Sequence, residues 1–172
     1  MPSCALTQDY NITCEPGIGG NKFFWIIESE NVTDVVESSG TVTAITRTPG
    51  KIFRKYQLAL ETANTDEKLN SNVQNGTMYF TQTASLVINK QQVSVRNEIL
   101  IIARNSLMLI AEDNTGAYRL YGRNNGLRVT DGGAASGTAW ADRNGYTLTF
   151  SGNEKELAPF IDPAVIETLQ TT

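Results

Sequence analysis

The chain has 172 residues, 40% of them hydrophobic, enough for one domain that buries a core without disulfide or metal staples. Fourteen basic against 18 acidic residues leave a net charge of −4, so no electrostatic footprint for wrapping nucleic acid is present. The chain has no histidine, which removes the commonest general base and metal ligand, and nothing approaches the roughly 20 apolar residues of a membrane span.

The N-terminal MPSCALTQDYNITCEPG lacks the basic and apolar regions of a signal peptide. Residues 1–21, with GIGG at 17–20, are expected as an irregular arm. Cys4 and Cys14 read as two reduced thiols, with a short-loop disulfide as the alternative. No metal site is expected from two cysteines without histidine. The sequons at Asn11, Asn31 and Asn75 are no more than chance places in a chain this rich in Asn, Ser and Thr.

KFFWIIESE is a short apolar run bounded by turn signals, which predicts a buried strand. TVTAITRT, β-branched and alternating, predicts a second strand that stops at Pro49-Gly50. IFRKYQLALET (Ile52–Thr62) keeps Ile52, Tyr56, Leu58 and Leu60 on one face. TMYFTQTASLVIN (Thr77–Asn89) does the same with Met78, Phe80, Ala84, Leu86 and Ile88, leaving Tyr79, Thr81, Thr83 and Ser85 opposite. Residues 63–75 read as a polar tip closing at Asn75-Gly76. Two long strands joined by such a tip predict an extended hairpin over 52–89. A small monomer cannot bury both of its faces, so a partner chain would complete it.

Residues 91–105 predict the helix, with Val95, Ile99, Ile102 and Ala103 on one side. SLMLIAED and AYRLYG predict strands parted by a turn at Asn114–Gly116, and a second turn falls at Asn124–Gly126. LRVTDGG leads into a glycine-rich loop over 132–137, and YTLTFSG is the final strand. In the C-terminal arm, 159–172, Pro163 opens a short helix. The fold class expected is mainly β: a single domain over 1–172, a sandwich or barrel of antiparallel strands with one flanking helix.

Chemistry-bearing residues are sparse. Glu28, Glu30, Asp34 and Glu37 read as solvated acids, and Asp131 and Asp142 as turn formers whose spacing is not that of a calcium loop. Arg119, Arg123 and Arg128 near Tyr118 and Tyr121 read as a solvated or subunit-facing strand face. GIGG lacks the spacing and preceding strand of a dinucleotide fingerprint. No enzyme and no cofactor is expected.

The order of elements, with the phrases NEILIIARN, GRNNGL and RNGYTLTFSGNEKELAP, resembles bacteriophage tail-tube or related virion structural proteins, most like small structural proteins from phages of gut Bacteroides-type hosts. The resemblance implies a subunit of hexameric rings that stack into a tail tube. Assembled in the host cytoplasm, the tube would meet other tail proteins and pass DNA along an acidic bore without binding it specifically. Inter-subunit contacts would fall on Tyr56, Leu58 and Leu60 of the first hairpin strand, Asp66, Lys68, Asn75 and Gly76 of the tip, and Tyr79, Thr81 and Thr83 of the second. A head-to-tail connector or tail terminator ring would share the fold. The alternative from another class is a glycan-binding, adhesin-like domain using Trp25, Trp140, Tyr118 and Tyr121 as stacking platforms.

Overall fold

The computed structural model describes Leu6, residues 8–12, Cys14 and residues 17–170. Cys4 lies outside them, and so does the choice between thiols and disulfide. The runs expected as buried strands form the middle of a seven-stranded sheet. β1 (Asn21–Glu28) pairs antiparallel with β7 (Leu107–Asp113), Trp25 opposite Ile110 and Ile26 opposite Leu109. Residues 24–27 and 107–111 are buried without a break, as strands covered on both faces require. β4 (Arg54–Gln57) flanks β1 on the outer side. Beyond β7 come β8 (Tyr118–Tyr121), β11 (Phe160–Ile161), β3 (Thr41–Arg47) and β2 (Val32–Ser38).

One face of this sheet lies under α2 (Pro163–Leu169). Val165, Ile166 and Leu169 pack against Trp25, Ile27, Met108, Ile110 and Leu120. Pro163 opens the helix and the Asp162 carboxylate accepts from the Ala164 N–H at 2.9 Å. At the other end Arg47 donates to the carbonyls of Thr168 and Leu169 at 2.8 and 2.9 Å.

The opposite face, through Phe24, Ile26, Leu109 and Tyr121, meets a four-stranded sheet that contributes Ala84, Leu86, Leu148 and Phe150. Its order is β5 (Asn64–Asn72), β6 (Thr77–Asn89), β10 (Gly145–Glu154) and β9 (Arg128–Ala135), antiparallel throughout. Helix α1 (Val93–Arg104) lies against β9 and adds Ile102 to the core between the sheets. The molecule is a mainly β sandwich with a flanking helix, as expected.

Four details differ from the sequence reading. The strand expected over 52–62 is confined to Arg54–Gln57 and joins the larger sheet, because Glu61 takes a left-handed conformation (φ 59) and turns the chain away. The expected polar tip is itself β5, so the hairpin is β5–β6, closed by residues 73–76. Gly132 and Gly133, expected in a flexible loop, lie within β9. A Cβ on Gly132 would stand 2.8 Å from the Thr147 carbonyl oxygen, so glycine there lets neighbouring backbone close in. Finally, β11 runs parallel to β3, inserting one parallel pair into an otherwise antiparallel plan, whereas the short helix opened by Pro163 is present as α2.

Candidate self-assembly surface

The root of the β5–β6 hairpin is fastened to the larger sheet by polar groups. Gln82, 1% exposed, donates from Nε2 to Glu67 Oε1 at 2.9 Å and accepts from the Gly122 N–H at 2.9 Å. Glu67 Oε1 also accepts from the Ala158 N–H at 2.7 Å. The Tyr121 hydroxyl donates to Thr65 Oγ1 at 3.1 Å. Beside this root, buried Glu154 accepts from the backbone N–H groups of Asn124 and Asn125 at 3.0 and 2.8 Å, holding the Asn-Asn-Gly turn. Inward polar residues of the hairpin therefore have partners, as buried polar groups must.

Toward the tip the partners run out. β10 pairs with β6 only as far as Phe80, opposite Glu154, so the last turn of the hairpin overhangs the sandwich. Leu69 and Met78 lie on the inward-pointing side yet are 53% and 63% exposed, and Val73 in the turn is 92% exposed. The turn is shaped by the Asn75 N–H donating to Asn72 Oδ1 at 3.1 Å and by Gly76 at φ 63.

The solvent face of the small sheet is flat and rich in hydroxyls. Register sets Asp66 beside Thr83, Lys68 beside Thr81 and Asn70 beside Tyr79. On β10, Thr147, Thr149 and Ser151 extend the same face, and β9 adds Arg128 and Asp131. Asn70 Nδ2 donates to Thr81 Oγ1 at 2.8 Å, and Thr81 Oγ1 to Asn153 Oδ1 at 2.9 Å, a polar ladder across three strands. With Asp66 and Asp131 against Lys68 and Arg128, the face balances in charge, so the chain's net acidity is not concentrated on it.

The structure thus gathers Asp66, Lys68, Tyr79, Thr81 and Thr83 on one face, with Asn75 and Gly76 at its end. Tyr56 and Leu58 do not join them: both pack against the core between the sheets. Burial, then the nearby Glu98 carboxylate, pushes the Tyr56 phenol up to about 12. Leu60 is exposed, but in the connection before β5 rather than on the hairpin. The aromatic platform fares no better. Trp25 and Tyr121 are buried on opposite faces of one sheet, and Tyr118 sits edge-on to Trp25 at 5.7 Å. Trp140 stands apart, fully exposed. Of the basic residues, Arg123 pairs with Glu37, and Arg119 lies over the Phe160 ring at 5.0 Å.

Among the described residues, neither long edge of this sheet, β5 or β9, has a neighbouring strand. The reading of the tip as a loop hid the β5 edge, and the reading of Gly132–Gly137 as a loop hid the β9 edge. The edge signal was present in the polar, charged composition of NTDEKLNSN, which suits a strand with one open side. The chain matches no protein-family model, no curated protein and no solved structure.

Proposed function

We propose that this chain is a structural subunit of a phage tail that assembles into rings through its four-stranded sheet, the rings stacking into a conduit for DNA. The observation that carries the proposal is the pair of unpaired edges on an all-antiparallel sheet of four strands. Strand direction alternates across β5, β6, β10 and β9, so the two edges run opposite ways. When β9 of one copy lies beside β5 of the next, the alternation continues. Copies related by a rotation then form a head-to-tail series that closes into a ring, and a closed barrel leaves no edge.

In such a ring the hydroxyl face lines the inside. Its balanced charge and hydroxyl cover, in place of the acidic wall expected from the sequence, give a phosphate backbone no cluster of cations to hold and no acidic field to cross. The seven-stranded sheet and α2 form the outside, and the overhanging hairpin points along the ring axis. Light scattering with negative-stain imaging tests the reading. Rings of uniform size are expected, with amides of β5 and β9 gaining protection from hydrogen exchange on assembly. A monomer at every concentration would overturn the proposal.

A further inference from the structure

Trp140 sits at the end of the small sheet opposite the hairpin tip. β10 begins at Gly145, opposite Asn89 of β6, and the loop over 136–144 precedes it. The tip lies beyond Thr77 at the other end of β6. At about 3.3 Å per residue, the 13-residue strand separates the two ends by roughly 40 Å, so they meet only between copies.

The Trp140 loop is held in one shape. The Asp142 carboxylate accepts from the Thr138 and Ala139 N–H groups at 2.8 and 2.7 Å, and the Asp142 N–H donates to the Ala139 carbonyl at 3.0 Å. The Lys90 N–H donates to the Asn144 carbonyl at 2.6 Å, tying the loop to the end of β6. An ordered loop thus holds a large indole wholly in water, where an aromatic side chain forgoes the burial of roughly 150–250 Å². On its N-terminal side, from Gly132 to Ala141, there is no ionisable side chain, and the Asp142 carboxylate that follows is turned onto the loop's own N–H groups. At the other end, no charged residue occurs between Leu69 and Asn89, and Leu69, Val73 and Met78 are uncovered there. An aromatic anchor thus stands at one end of the sheet and an uncharged apolar seat at the other. Contact between them buries an indole against apolar side chains.

We infer that a second copy occupies this seat: Trp140 of one subunit docks against Leu69, Val73 and Met78 of the hairpin tip of the subunit stacked on it. The contact is heterologous, joining unlike ends, so it propagates along the strand direction as a stack. It rests on the ring reading above and adds the residues that join one ring to the next.

The chain has two tryptophans, and they report separately, because Trp25 is buried and Trp140 is exposed. As protein concentration rises through stacking, the iodide-accessible, red-side emission of Trp140 should shift to the blue and lose its quenching, while Trp25 stays constant. The double variant Val73→Asp/Met78→Asp alters exposed side chains and leaves Trp140 in place. It should form rings of the wild-type mass but raise the stacking concentration at least about 30-fold, the effect of losing an interfacial hot spot, and keep Trp140 open to iodide. Rings that never stack, or that stack with Trp140 still quenched, overturn this inference and leave the ring reading standing. A wild-type chain that forms no ring overturns both.

Discussion

The two sheets of the sandwich are finished to different degrees. The seven-stranded sheet is covered on one face by α2 and on the other by its partner sheet, and its central strands are buried on both sides. The four-stranded sheet is covered on one face alone, open along two edges and overhung at one end. A surface completed inside the chain supplies stability, whereas one left open supplies association. The same substitution should therefore cost very differently on the two faces of a single strand.

β10 offers that contrast at adjacent residues. Phe150 is fully buried between the sheets, and Thr149 points to the open face. Phe150→Ala should destabilise the fold by about 3–5 kcal/mol in urea unfolding, the usual cost of emptying an aromatic core site. Thr149→Ala should stay within about 0.5 kcal/mol. Comparable losses at both positions would remove the distinction between the faces.

The hairpin root comes next in size. Gln82→Ala strips a partner from Glu67 and from the Gly122 N–H beneath the sheet, and leaving such buried groups unmade costs roughly 1–3 kcal/mol. The tip carries no comparable network, so Gln74→Ala in the turn should be neutral by thermal unfolding. A Gln82→Ala protein as stable as wild type would mean that the root is as loosely held as the tip.

Two glycines contrast a close approach of neighbouring backbone with open space on the same sheet. A Cβ on Gly145 would fall 2.1 Å from the Ile88 carbonyl oxygen, whereas one on Gly133 would meet nothing within 4 Å. Gly145→Ala should force β10 away from β6 and cost about 1–3 kcal/mol, as other overpacked sites do. Gly133→Ala should be tolerated, since it enters open space. Equal melting temperatures for the two variants would contradict the register placed here.

The same division governs what was legible in the sequence. β1 and β7 announce themselves as unbroken apolar runs because both of their faces are buried, and α1 through its helical spacing. β6 reads correctly because one face is dry and the other wet, which is why Tyr79, Thr81 and Thr83 were placed together. β5 was missed because NTDEKLNSN has almost no apolar alternation. Its strand is imposed by pairing with β6, and its inward residues Thr65 and Glu67 are satisfied by Tyr121, Gln82 and Ala158, far along the chain. Tyr56 and Leu58 belong to the larger sheet's side of the core although their alternation matches that of a hairpin strand, because periodicity shows a strand's faces and not its neighbour. β11, two residues long, carries no local pattern at all.

The smallest effect concerns the loop that presents Trp140. Hydrogen bonds from the backbone N–H groups of Ala139 and Thr138 hold the Asp142 carboxyl below the usual carboxylate range. A depressed folded-state value means that loop order is complete above the unfolded carboxylate pKa and is lost as pH falls through the folded one. On acidification, the amide signals of Thr138 and Ala139 should move toward their unstructured positions, while those of Leu148 and Phe150 in the core stay fixed. Asp142→Asn keeps a side-chain acceptor but removes the titration, so the loop should then ignore pH through the carboxylate range. If the wild-type loop amides are equally indifferent to acid, the carboxylate does not hold the loop. If they respond, Trp140 on the open sheet is presented by a device that the buried sheet does not share, and stacking should weaken in acid before the fold does.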